Sequence, residues 1–516
     1  MLAELVRLSA ESAPEEIFIV QQDGQRATRA EADRMVRGIG AWLRDNGIAP
    51  GDRVALGAHN SLRWVIASLG INCAGAIAVQ MPPQATASDL QHLIVDGGAR
   101  IAFVDAPVAG TLVTALGSLA PLERLISLDS GPIPLPAGIG CTPFDEVCAT
   151  GPTAAPEMGS GMLTYTAGTT GRAKGVYRDA SRMGSLAEMP GHFDLRGDDV
   201  HLVAGALYYG GPSMFTNVSL AMGARLVVMP RFDPEEVLRL IERERVTTTF
   251  LVPTMLRQLT QHASARAGTY DTSSVRVLVI AGEPCAITLK RDAEALFGPV
   301  LYEFGGASEL GLIAVMPPEG HEKKPGSCGR IVDGIDVEIR DADGRSLPVG
   351  ETGEILVRSS AVMERYWNDP AATAEVQRDD FMSLGDEGYV DDDGYLYITG
   401  RLADIIKTGG VRVTPSEIEG VLLEHPGVLE VALVGVPDER WGERLVACVL
   451  ARPGAEPEAA DLQAWCRERL AAHKVPKEVH FFTEAEWPRQ PTGKVPKRLM
   501  RDRVQHGSEL TDRGHR

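Results

Sequence analysis

The densest chemical signal in this 516-residue chain is the segment 163–176, LTYTAGTTGRAKGV. Gly168, Gly171 and Gly175 remove the side chains that would hold a backbone away from a polyanion. The hydroxyls of Thr166, Thr169 and Thr170 donate hydrogen bonds, and Lys174 supplies a charge. The spacing is not G-x-x-x-x-G-K-[ST], so this is not the helix-bound phosphate loop of the P-loop NTPases. The residue types point to phosphate chemistry on a loop of a different kind.

The segment resembles the phosphate loop of the adenylate-forming superfamily: acyl- and aryl-CoA synthetases, luciferases and non-ribosomal adenylation domains. Ala167 and Ala173 stand where that family usually has Ser and Pro. The resemblance extends over more than 300 residues in the family's order. Ala281-Gly282-Glu283-Pro284 resembles the turn beside the adenine, and Phe304-Gly305-Gly306-Ala307-Ser308-Glu309 the aromatic-Gly-x-Thr-Glu motif. Gly385-Asp386 and Gly400-Arg401 are similar to the ribose-binding motifs. Ala403 and Asp404 fall at the hinge, followed by Gly409-Gly410 and Pro415–Glu419. Pro491-Thr492-Gly493-Lys494 resembles the motif with the catalytic lysine.

The resemblance implies a role for each position. Thr166, Gly168, Thr169, Thr170, Gly171 and Lys174 would hold the ATP phosphates, and Asp386 and Arg401 the ribose. Gly282, Glu283, Pro284 and the 304–308 segment would flank the adenine. Lys494, Glu309 and Thr166 form the expected catalytic set, with Glu309 as the Mg²⁺ carboxylate. Gly409 and Gly410 would meet CoA. A carboxylate that attacks the α-phosphate of ATP brings two anions together, and these cations and donors offset that repulsion. Lys494, a compact charge on a flexible stem, suits the point where carboxylate meets phosphate.

Three positions depart from the family pattern. Gly305 replaces the aromatic ring that stacks on adenine, leaving Phe304 as the ring able to swing in. Ala403 replaces the usual hinge Asp or Lys. Tyr209, in Ala206-Leu-Tyr-Tyr-Gly-Gly-Pro212, replaces a frequent acyl-contacting His. Tyr209, Gly210, Gly211 and Gly306 are the expected acyl pocket. Gly210, Gly211 and Gly305 are expected to leave free volume for a bulky or extended acid.

These motifs must be positioned by a large α/β frame. Helix-spaced apolar residues in 29–46 and 233–244 alternate with apolar strands at 53–56, 247–252 and 275–281, which predicts a mostly parallel sheet. After about residue 326, short strands between Gly- and Asp-rich turns predict an antiparallel or barrel-like subdomain. A last unit has its own helices and strands. The expected organisation is a large domain 1–400, a hinge 401–404, a small mobile α+β domain 405–505 and a polar, frayed tail 506–516.

Composition sets the outer bounds. Hydrophobic residues make up 44% of the chain, enough for large cores, and 55 Gly with 33 Pro fall below low-complexity levels. A net charge of −19 disfavours nucleic acid as a bulk partner. Seven cysteines without a C-x-x-C read as reduced thiols of a cytoplasmic protein. The N-terminus lacks the pattern of a signal peptide, and the apolar stretch 64–81 reads as a buried helix entering a strand, not a membrane span. No H-E-x-x-H, G-x-S-x-G or complete dinucleotide fingerprint occurs.

The sequence therefore leads to an ATP- and Mg²⁺-dependent acid–CoA ligase acting on a small carboxylic acid, with homodimerisation left open. Two rivals are an adenylating enzyme with another acceptor (a carrier protein in trans, an amine or a small nucleophile) and a non-catalytic nucleotide- or acid-binding homologue.

Overall fold

The computed structural model describes residues 2–115, 118–151, 161–166, 172–179, 182, 187–283, 285–452, 454–488 and 495–512. Gly168, Thr169, Thr170, Gly171, Pro284 and Lys494 lie outside these residues.

Apolar β-branched runs bounded by turns form two sheets that carry the large domain. In the first, strands Ile17–Gln21, Arg225–Val228, Val200–Val203, Thr248–Leu251, Val277–Ile280 and Leu301–Ala307 run parallel in that spatial order. The antiparallel strands expected after residue 326 continue the same sheet edge to edge, joined through Gly311–Met316 and Gly329–Ile331. They enclose a separate core around Ile355, Val357, Met363 and Leu396. In the second sheet, Ile77–Met81, Arg53–Gly57, Ile101–Val104 and Arg124–Ser127 are parallel, and the hairpin Met162–Thr166/Lys174–Arg178 extends one side.

Helices fill the space between and around the sheets because their apolar stripes match those surfaces. Helix Arg29–Asp45 starts at a capping box, with Thr28 accepting from the Glu31 amide and Glu31 reaching back to the Thr28 amide. Its Val36, Ile39 and Leu43 are fully buried against helix Leu62–Cys73. That second helix leads into strand Ile77–Met81, so the most apolar stretch of the chain is an interior helix and a strand. Among the described residues, no helix is long and apolar enough to cross a membrane.

The small domain is a sheet of five strands, in which Gly442–Ala451 pairs with Val428–Asp438 and Glu478–Phe482. Helix Pro415–Leu423 packs on it through Ile418 and Leu422. The terminal helix runs from Lys497 to Asp512, so the backbone beyond 505 continues helical where a frayed tail was expected.

Candidate active site

A cleft of about 2550 Å³ lies between the two sheets and the small domain, and the described motif residues other than Gly409 and Gly410 converge on it. Its centre is Glu309, just after strand Leu301–Ala307. The Thr166 hydroxyl, at the end of strand Met162–Thr166, donates to Glu309 Oε1 at 3.2 Å. The Tyr366 hydroxyl donates to the same oxygen at 3.2 Å. Lys174 Nζ stands 5.1 Å from the centre of the Tyr366 ring. Glu309 is held from its backbone as well, because its carbonyl accepts from the Met363 amide at 2.7 Å. Burial, and then the charge of Glu309, push the Tyr366 phenol upward, so it stays a donor at neutral pH.

Strand pairing places the second cluster. Asp386 and Arg401 face each other across antiparallel neighbours, and Arg401 Nε donates to Asp386 Oδ1 at 3.1 Å. Their pairing stands on the same cleft wall as Gly385 and Leu402. Among the described residues, no group of three or more His, Cys, Asp or Glu gathers into a metal cage.

The glycines behave differently from expectation. A Cβ on Gly305 would sit 2.6 Å from Cys328 Sγ, one on Gly211 2.6 Å from the Phe250 ring, and one on Gly306 2.4 Å from the Gly311 carbonyl oxygen. The spaces at 305 and 211 are therefore filled by neighbours, so these glycines provide close approach and not open volume. Only Gly210 has slack, with Ser308 Oγ at 3.4 Å. Phe304 is half-buried and lines the cleft. It packs into an aromatic cluster with Phe193, Phe215 and Phe250, at ring separations of 6.0, 6.0 and 6.3 Å. Beside Gly305, burial pushes the Cys328 thiol up to about 12, so a neutral S–H lines that part of the cleft. Gly282 (φ +95°), Glu283 and the whole 304–308 segment line the cleft.

Tyr209 precedes helix Gly210–Met222 and lines the cleft, with its ring 4.6 Å from that of Tyr208. Its hydroxyl is buried without a hydrogen-bond partner among the described residues, and burial raises its phenol. Gly409 and Gly410 form the left-handed turn between strands Ile406–Thr408 and Val411–Val413. That turn lies against Trp441, away from the cleft lining. The small domain instead turns Ser416, Glu419 and Val495–Arg498, the residues directly after position 494, toward the cleft. Arg412 bonds Glu387 across the domain boundary at 2.9 Å, and Ser416 bonds the Thr399 carbonyl. Ala403 and Asp404 form a short 3₁₀ turn with Leu402.

Sequence reasoning missed Tyr366, which sits 57 residues from Glu309 without a local signature. It also missed Arg178, although its place four residues after Lys174 on an alternating strand puts both on one face. The clamp outside the phosphate loop was likewise not foreseen. Tyr165 OH donates to Asp96 at 2.6 Å, and His92 Nε2 lies 3.1 Å from the Ala173 carbonyl, so one helix holds both ends of the loop.

Comparisons with known proteins show the family of the chain. Residues 6–367 match the AMP-binding enzyme family, and residues 417–494 match the AMP-binding enzyme C-terminal domain. The chain is 33% identical to a feruloyl-CoA synthase of Amycolatopsis sp over 490 residues, covering 94% of this chain and 95% of that one. It is 33% identical to the long-chain-fatty-acid–CoA ligase FadD13 of Mycobacterium tuberculosis over 499 residues, 92% and 93% of the two chains. The solved structure of the amide bond synthetase McbA from Marinactinospora thermotolerans is similar with a TM-score of 0.85 and 28% identity, covering 97% of this chain and 99% of that one.

Proposed function

Because the chain belongs to the AMP-binding enzyme family, we propose that it is an ATP-dependent acid–CoA ligase of the AMP-forming type. The acid's carboxylate oxygen attacks the α-phosphate of ATP, the bond to the β-phosphate oxygen breaks, and pyrophosphate leaves. The CoA thiol then attacks the acyl carbon, loses its proton, and AMP departs with the oxygen that came from the acid.

The observation that carries this reading is the convergence on one carboxylate. Thr166, Tyr366 and, through the Tyr366 ring, Lys174 gather around Glu309 in the same cleft as the Asp386–Arg401 pair. In this reading Lys174 and Thr166 take the phosphates, Asp386 takes the ribose hydroxyls, and Arg401 aligns Asp386 through its guanidinium. Mg²⁺ fits Glu309, since one carboxylate beside a hydroxyl, with waters and substrate phosphates completing the shell, suits this cation better than an all-protein cage. Bound there, it would neutralise the triphosphate.

The orientation of the small domain supports the adenylating state, since the segment following Lys494 faces the cleft while the Gly409–Gly410 turn faces away. Thioester formation then requires rotation about 401–404 to bring that turn inward. The likeness to an amide bond synthetase favours a second reading, in which an amine replaces CoA as the acceptor. Pyrophosphate release across an acid panel tests the first half-reaction, and supplying CoA or an amine in turn separates the acceptors. A protein that releases no pyrophosphate with any acid is not a ligase of this type.

A further inference from the structure

One cation in the cleft wall has no counterion among the described residues. Arg178 ends strand Lys174–Arg178 and is only 7% exposed. Its Nε donates to the Ala361 carbonyl at 2.6 Å, and its Nη2 donates to the Ser308 carbonyl. The third nitrogen, Nη1, donates to no described residue. Arg178 itself lines the cleft. A second guanidinium stands close by, where exposed Arg182 Nη1 lies 3.4 Å from the neighbouring Val362 carbonyl and also lines the cleft.

No carboxylate of a described residue lies within ion-pair distance of either arginine. A buried charge left unpaired is costly, and proteins normally supply a partner. This chain does so elsewhere: buried Lys290 is paired with Glu303. With 70 acidic against 51 basic residues, carboxylates are not scarce. Burial pushes the Arg178 guanidinium down to about 10, with the more distant Glu309 opposing, so it remains a cation at neutral pH. Its two carbonyl bonds fix the planar fork and leave one edge for an incoming acceptor.

We propose that Arg178 and Arg182 form an oxyanion subsite in the cleft wall, distinct from the Lys174 end of the strand, that receives a carboxylate or phosphate group of a substrate. Four residues of strand separate the Cα atoms of Arg178 and Lys174 by about 13 Å, so one terminal phosphate does not span both. Two sources have the required chemistry: a second, distal carboxylate on the acid, and a phosphate of CoA. Naming these sources rests on the ligase reading; the subsite itself rests on a buried guanidinium without a counterion among the described residues.

The test is equilibrium binding by calorimetry with two probes, glutarate for the distal carboxylate and adenosine 3′,5′-bisphosphate for the CoA phosphates. The wild-type chain, Arg182→Ala and Arg178→Lys are compared, with MgATP binding measured alongside. The proposal expects at least one probe to bind the wild type and to weaken tenfold or more in both variants, while MgATP affinity stays within twofold. Whichever probe responds identifies the source. Because Arg182 is exposed, Arg182→Ala decides alone if Arg178→Lys does not fold. The proposal is overturned if neither probe binds the wild type, or if each probe that binds stays within twofold in the folded variants. Loss of MgATP binding by the wild type would instead overturn the ligase reading.

Discussion

Cys328 Sγ lies 2.6 Å from the point where a Cβ on Gly305 would stand. The thiol thus occupies the space that a side chain at 305 would need. An aromatic ring cannot be restored at this position by one substitution, because the core behind it is already filled. Gly305→Ala is expected to destabilise the protein by about 1–3 kcal/mol through overpacking. Adding Cys328→Ala should recover about 1 kcal/mol or more, as expected for residues in direct contact. Urea midpoints of the two single variants and the double variant check this, and strictly additive effects would show that the two positions do not compete for space.

Lys494→Ala should lose most acyl-AMP formation, by roughly 3 kcal/mol of transition-state stabilisation, and still convert supplied acyl-AMP and CoA to thioester. Glu309→Gln should raise the Mg²⁺ concentration needed for adenylation while leaving the thermal midpoint close to that of the parent. Separate assays of the two half-reactions distinguish these from misfolding, which would lower both together.

The domain boundary offers a mechanical test. Glu387 accepts from Arg412 Nη2 at 2.9 Å and from the Thr414 hydroxyl at 3.5 Å, tying the small domain in its present orientation. Glu387→Gln should weaken this tie and favour the second half-reaction relative to the first. Ala403→Pro should act differently, fixing φ near about −65° in the hinge and impairing one half-reaction far more than the other. Single-turnover rates within about twofold of the parent for both variants would place the pivot elsewhere.

Stability should fall in mild acid. His201 is 2% exposed, with Nδ1 2.9 Å from Thr248 Oγ1, and burial pushes its imidazole down to about 4. His321 is also pushed to about 4, by burial and then by Lys290. An unfolded chain with ordinary histidines near about 6.5 binds these protons first. The stabilisation is therefore complete above about 6.5 and is lost as pH falls toward 4, by up to about 3 kcal/mol per residue. Urea midpoints between pH 7 and 4.5 should drop, and less steeply in His201→Gln. An unchanged slope in that variant would remove His201 from the account.

Much of the fold was legible because it rests on local signals. The helix at 29–45 and the strands at 248–251 and 277–280 follow directly from apolar spacing. Glu309, Asp386, Arg401 and Thr166, which the motif order brought up, all line one cleft. What could not be read was tertiary compensation. The sequence shows a missing ring at Gly305 but not Cys328 filling its place 23 residues on, nor Phe250 filling the gap at Gly211. Tyr366 was invisible for the same reason: its role depends on partners that only packing brings near.

The central claim, that an acid is activated through its own adenylate, can be read from one atom. A carboxylic acid that yields product in a panel is labelled with ¹⁸O in its carboxylate and incubated with MgATP, CoA and the enzyme, and the products are weighed. Attack of the carboxylate on the α-phosphate followed by thiol displacement predicts acyl-CoA, unlabelled pyrophosphate and AMP carrying one acid-derived oxygen. Label appearing in inorganic phosphate beside ADP, or product formed with unlabelled AMP, would contradict the account.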